Sequence, residues 1–237
     1  MNLLAFDTST ETLSIAVQRG AQVLTHESAG GAQASATLIE QALALLHQAQ
    51  LEPGQLHAIA FGRGPGAFTG LRTACAVAQG LAWGAGVPVL PIDTLLAVAE
   101  NARQRHGITH ALAWLDARMG QVYAAPFIWQ AGVWRALGSA RVLAPENLAL
   151  PAGAEPAAWA LAGNAAAAYS HRLPPQLAAL PALPAGPAAT ALLTLAAPML
   201  AAGQALAAGQ ALPLYVRDKV AQTTAERLAA RSGPLGV

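Results

Sequence analysis

Five residues, Gly62-Arg63-Gly64-Pro65-Gly66, stand between the apolar run Ala58-Ile59-Ala60-Phe61 and a helix-forming segment. A buried strand, a glycine loop and then a helix is the repeating unit of α/β folds. Such a loop can aim backbone N–H groups, and the positive end of the helix dipole, at an anion. The rest of a phosphate motif is missing here. Ala67-Phe68 replaces the Lys-Ser/Thr pair of a Walker loop, and Thr69 stands where a dinucleotide fingerprint places its third glycine. On these residues alone, the loop reads first as a tight turn that packs helix on strand.

The neighbouring patterns extend the α/β reading. Leu3-Leu4-Ala5-Phe6 is a short buried strand ended by the polar turn Asp7-Thr8-Ser9-Thr10. Strands follow over 13–17 and 23–25 around Gly20. Ser35 caps a helix predicted over 35–50, and Thr69 caps one over 70–83. Val87–Ile92 is the next strand, and Asp93 caps a helix to about Arg105. A strand over 111–115 and a hairpin over 121–129 and 133–137 then restart the pattern. Residues 151–187, rich in Pro and Ala, give one strand (159–162) and one helix (164–171). A helix over 190–208 is expected to kink at Pro198, before an extended segment over 213–216 and a helical tail. No sequence repeat is evident. Strands followed by strand–helix alternation occur twice, which predicts two related halves.

Composition narrows the function. Formal net charge is +1 over 237 residues and no Lys/Arg run exists, so the chain exerts no strong general pull on nucleic acid. A single cysteine, Cys75, excludes an intrachain disulfide and a Cys-based zinc finger. About a quarter of the residues are alanine and 11% are charged. No basic leader precedes the first strand, and the most apolar stretch, 192–206, is interrupted by Pro198, Gly203 and Gln204. The expectation is a soluble, cytoplasmic protein without membrane partners.

Asp7, Thr8 and Ser9 could hold a hydrated metal and a phosphate, or only satisfy their own turn. His106 and His110 have a zinc-ligand spacing only if they share a helix face, which Gly107, Ile108 and Thr109 disfavour. Cys75, among alanines, reads as a buried small hydrophobe. Asp116 and Arg118 follow a strand and form either a functional pair or an exposed ion pair.

Taken in order, Leu4-Ala5-Phe6-Asp7-Thr8-Ser9, Gly64-Pro65-Gly66-Ala67-Phe68-Thr69-Gly70-Leu71-Arg72, Asp116-Ala117-Arg118-Met119, Val122-Tyr123 and Leu214-Tyr215-Val216-Arg217 resemble the bacterial TsaB (YeaZ) family. The resemblance is strongest over 2–93 and weakest over 151–187. It implies an α/β fold of the actin/Hsp70-like nucleotidase (ASKHA) type, with two lobes that each hold a mixed sheet and flanking helices. The N-terminal lobe would span 1–105, completed by a C-terminal helix from about 190 to 237, and the smaller second lobe would span 106–189.

The resemblance also implies a role in making N6-threonylcarbamoyladenosine at position 37 of tRNAs that read codons beginning with A. In that family the catalytic subunit is the TsaD paralogue, which transfers the group from threonylcarbamoyl-AMP. A TsaE-type ATPase joins the complex, and tRNA is engaged through it. The paralogue's metal helix carries His-x-x-x-His, whereas the matching position here is Asp93-Thr94-Leu95-Leu96-Ala97, so a non-catalytic scaffold is expected. Asp7, Thr8, Ser9, Gly64, Gly66, Thr69 and Gly70 would be a degenerate phosphate loop. The partner interface would comprise Ser35, Leu38, Ile39, Ala42, Leu45, Leu46, Leu71, Ala74, Cys75, Ala78 and Leu81, which would also form a homodimer when the chain is alone. Arg72, Asp116, Arg118 and Arg217 are the candidates for polar contacts. No cofactor or metal is expected in the isolated chain, and whether a nucleotide sits at the subunit interface of the complex is left open by the sequence. The alternative is an independent ATP-dependent enzyme, of sugar-kinase or ATPase type, using Asp7 and the 62–66 loop. A metalloprotease would need ligands that the chain does not present.

Overall fold

A computed structural model describes residues 1–31 and 34–217. The first half builds a five-stranded sheet from β1 (Asn2–Asp7), β2 (Thr12–Arg19), β3 (Gln22–Ala29), β4 (Ala58–Gly64) and β5 (Val89–Asp93), in the order β3-β2-β1-β4-β5. β2 pairs antiparallel with β1 and β3, while β4 runs parallel to β1 and β5. The second half repeats this plan with β6 (His110–Asp116), β7 (Val122–Gln130), β8 (Val133–Ala136), β10 (Ala160–Gly163) and β11 (Ala182–Pro184). Its order is β11-β10-β6-β7-β8 with the same pattern of directions, and a short β9 (Arg141–Leu143) also pairs with β7. The two related halves expected from the sequence are therefore two sheets of one topology. The result is a two-lobed α/β architecture with one mixed sheet and flanking helices in each lobe.

Alternation along the central strands explains the layering. Leu4, Phe6, Ile59 and Phe61 point to one face of the first sheet, where α1 (Ala34–Gln48) and α2 (Phe68–Ala85) cover them. Leu3, Ala5, Ala58 and Ala60 point the other way, onto α6 (Ala189–Ala201). In the second sheet, Ala111, Ala113 and Leu115 meet α3 (Thr94–His106), while Leu112 and Trp114 meet the irregular cover that includes the short α4 (Ala166–Tyr169) and α5 (Pro175–Ala178). α3 and α6 pack on each other between the sheets. Part of the alanine content has its place here. Ala5, Ala58, Ala60, Ala97, Ala99, Ala111, Ala113, Ala189 and Ala196 line this middle layer and let helix and sheet approach closely.

Several local expectations change. α2 starts at Phe68, with Ala67 at its N-cap, so Thr69 sits in the first turn and does not cap. Asp93 occupies the N-cap position of α3, but its carboxylate accepts from Arg63 Nε at 2.5 Å instead of capping. α6 contains Pro198 and ends at Ala201, short of 208, after which Leu206 bridges to Val89 at the open edge of β5. The expected helical tail beyond 217 lies outside the described residues. No helix among the described residues is long and apolar enough to cross a membrane.

Candidate functional site

The ends of β1 and β4 meet at the polar turn. Asp7 Oδ1 accepts from the Ser9 backbone N–H at 2.7 Å and from Ser9 Oγ at 2.6 Å. Its Oδ2 accepts from Thr94 Oγ1 at 3.4 Å, and Thr94 Oγ1 in turn accepts from the Gly64 N–H at 3.1 Å. Thr8 Oγ1 donates to the Gly70 carbonyl at 2.7 Å, and the Ala67 N–H donates to the Ser9 carbonyl at 2.8 Å. The glycine loop is therefore pressed directly onto this turn. A Cβ on Gly62 would overlap Asp7 Oδ2, and one on Gly70 would overlap the Thr8 carbonyl. At Gly66 it would stand 2.5 Å from Ser9 Cβ.

Asp7, Thr8 and Ser9 are consequently buried. Removal from water pushes the Asp7 carboxyl up to about 6, although hydrogen bonds from Ser9 and Thr94 pull it down. Its hydrogen bonds come from the chain itself, and the Gly64 and Ala67 N–H groups already have acceptors within the chain.

An open cleft of about 430 Å³ lies beside the loop, between the lobes. Gly66, Ala67 and Phe68 line one wall, and Asp116, Arg118 and Ala168 the other. Asp116 Oδ1 accepts from the Arg118 N–H at 2.7 Å and from the Tyr169 hydroxyl at 2.9 Å. Arg118 reaches across to Glu11 Oε1 at 2.6 Å, an ion pair with side chains 69% and 76% exposed. Arg118 and Met119 both take left-handed backbone conformations, with φ of 61° and 55°. This is a costly arrangement for side-chain-bearing residues. Arg217 lines the cleft as well, whereas Arg72 lies on α2, its guanidinium 3.8 Å from the Phe68 ring centroid.

The structure divides the residues expected at a partner interface. Leu38, Ala42, Leu45, Leu46, Ala74, Cys75 and Ala78 face the chain's own first sheet and are buried in its core, and Leu71 is buried too. They are not available to a partner, because one face of each helix is needed to cover Leu4, Phe6, Ile59 and Phe61. Ser35 and Ile39 remain on the solvent side of α1, and Leu81 on α2 is partly buried. The sequence reading missed Leu43 and Trp83. Ile39 is 46%, Leu43 41% and Trp83 80% exposed. Their helical spacing was legible, but which face the sheet takes was not.

His106 ends α3 and His110 starts β6, with left-handed Gly107 between them, so they share no helix face. Among the described residues, no group of three or more His, Cys, Asp or Glu could hold a metal ion. Cys75 donates to the Ala211 carbonyl at 3.4 Å, and burial raises its pKa.

A family model described as TsaD, tRNA N6-adenosine threonylcarbamoyltransferase, matches residues 22–232. The structure of YeaZ from Pseudomonas aeruginosa superposes with a TM-score of 0.83 at 39% identity, covering 90% of this chain and 99% of that one. The chain belongs to the TsaB (YeaZ) family. Two curated members named tRNA threonylcarbamoyladenosine biosynthesis protein TsaB are similar as well. The Escherichia coli (strain K12) protein is 36% identical over 62% of this chain and 64% of its own length. The Haemophilus influenzae protein is 39% identical over 62% and 66%. The chain thus spans just under two thirds of these TsaB relatives.

Proposed function

We propose that the chain acts in the formation of N6-threonylcarbamoyladenosine in tRNA, as a non-catalytic subunit that activates a TsaD-type paralogue. The observation that carries this reading is the sealed Asp7 turn: the turn that the sequence resemblance assigns to a degenerate phosphate loop is filled by the chain's own hydrogen bonds. The relatives' names supply the pathway. The paralogue would transfer the threonylcarbamoyl group from threonylcarbamoyl-AMP to N6 of adenosine 37, in tRNAs reading codons beginning with A. A TsaE-type ATPase and the tRNA would join through the assembled complex. Arg72, Asp116, Arg118 and Arg217 would make polar contacts to the complex only by exchanging the intrachain partners they hold here, and a nucleotide would bind only where the complex completes a site. The lobe division, 1–105 completed from about 190 onward and 106–189, accompanies this reading.

The partner surface in this reading is the solvent side of α1 and α2. Besides Ile39, Leu43 and Trp83 it carries Ala76, Gly80 and Gly84, four apart on α2 and all exposed. A Cβ at Gly80 or Gly84 would meet nothing within 4 Å, so packing within the chain does not demand glycine there. Glycine inside a helix costs about 1 kcal/mol relative to alanine, and a bare helix surface admits a second helix at close range. The paralogue would take this face, and in its absence a second copy of the chain.

The test is co-expression with the paralogue followed by threonylcarbamoyl transfer to tRNA. With threonylcarbamoyl-AMP, ATP and a TsaE-type ATPase supplied, either protein alone should be inert and the mixture active. An inert mixture, or tight ATP–Mg²⁺ binding with turnover by the isolated chain in calorimetry, overturns the reading and favours an independent ATP-dependent enzyme.

A further inference from the structure

Residues 214–217 line the interlobe cleft and run from one lobe to the other. On the first lobe, the Leu214 N–H donates to the Arg63 carbonyl at 2.7 Å. The Leu214 carbonyl lies over Gly64, where a Cβ would stand 2.5 Å from it and where φ is +123°. The Tyr215 ring packs on Phe68 with centroids 5.1 Å apart, and its hydroxyl accepts from Arg72 Nε at 3.2 Å. Two residues later the chain is on the second lobe. Val216 packs against the α3–β6 core, and Arg217 Nη2 donates to the Ala117 carbonyl at 3.0 Å and to Gln121 Oε1 at 2.9 Å. Its Nη1 lies 2.9 Å from Met119 Sδ.

Both landing points are backbone features that ordinary turns avoid. Gly64 has a conformation closed to other residues, and the β6–β7 turn holds Arg118 and Met119 left-handed while it presents the Ala117 carbonyl to Arg217. The other tie described across this rim, Arg118–Glu11, is solvent-exposed, and pairs of that kind contribute about 0–1 kcal/mol. On the far side the packed α3–α6 pair lies between the two sheets, with α6 on the first and α3 against the second, and this layer can act as a hinge.

We propose that residues 214–217 form a clasp that sets the angle between the two lobes, and with it the width of the cleft. Arg217 is its second-lobe anchor, and Leu214 with Tyr215 its first-lobe anchor. The inference rests on these contacts and is independent of the partner reading.

Spin labels at Gln22→Cys on β3 and Ala168→Cys on α4, in a Cys75→Ala background of the full chain, report the interlobe distance by double electron–electron resonance. Labelled protein is diluted with unlabelled protein to remove contributions between copies. The parent should give one narrow distribution. Arg217→Ala should broaden it and move it to longer distance, and Tyr215→Phe, which loses only the hydroxyl contact, should broaden it less. Glu11→Ala should leave it unchanged. Circular dichroism checks that each variant is folded. If Arg217→Ala proves unfolded, Gln121→Ala replaces it with the same expectation. Unchanged distributions in the folded clasp variants, or widening by Glu11→Ala alone, overturn the proposal.

Discussion

Asp7 and Asp116 end the central strands of two sheets with the same topology, and only Asp116 opens onto the interlobe cleft. The difference comes from the residues packed around each strand end. Ser9 and Thr94 close over Asp7, and Gly62 lets β4 press against it. Asp116 is held from one side, by Tyr169 and its own turn.

Because burial raises Asp7 to about 6, the folded chain binds a proton there that the unfolded chain releases near 4. Stability from this group is present below pH 4, falls as pH rises through 6, and is then flat. The loss is on the order of 3 kcal/mol across that window. Asp7→Asn should remove the slope between pH 4 and 6 in urea titrations, relative to the parent. It should also leave transfer by the reconstituted complex intact, since no catalytic role is assigned to this carboxylate.

The two faces of α1 should behave differently. Leu45→Asp buries a charge against Leu4 and Phe6 and should cost about 4 kcal/mol or more, giving little folded protein. Leu43→Asp and Trp83→Ala touch exposed side chains and should leave the melting temperature within a few degrees. They should nevertheless abolish co-purification with the paralogue.

Gly80 separates stability from assembly. Gly80→Ala should stabilise the isolated chain by about 0.5–1 kcal/mol, because its helical site is open and exposed. Gly80→Leu should fold as well but prevent close helix approach, read as loss of the complex in gel filtration.

Glu100 ties α3 to β8. It accepts from Arg103 Nε at 2.8 Å, Trp134 Nε1 at 2.8 Å and Gln104 Nε2 at 3.0 Å. Burial opposes its ionisation, yet the hydrogen bonds from Arg103, Trp134 and Gln104, with the charge of Arg103, hold its pKa below the ordinary value. Its contribution is therefore complete above the unfolded carboxylate pKa and lost as pH falls further. Glu100→Gln should destabilise by about 1–3 kcal/mol at pH 7 in chemical denaturation, with a smaller difference at low pH.

The sequence made much of this legible where a local rule decides. Leu3-Leu4-Ala5-Phe6 and Ala58–Phe61 are readable as strands because apolar runs bounded by turns have few other uses. The degenerate loop is readable because Walker and dinucleotide motifs have fixed partners that Ala67, Phe68 and Thr69 do not supply. The features that fail to show are long-range. Tyr215 meets Arg72 across 143 residues, and nothing near either residue announces it. The buried sides of α1 and α2 read as a partner surface because an apolar helix face carries no mark of whether its own sheet or another protein covers it. β9, β11 and α5 are too short for any periodicity to register.

The exchanged position of α3 and α6 has a consequence for how the molecule comes apart. The first half ends in a helix that mainly covers the second sheet, and the second half supplies the helix that covers the first. Cut just after α3, each fragment would keep a sheet with one apolar face bare. Neither half is then a folding unit, and the duplicated sheets should unfold in a single cooperative transition.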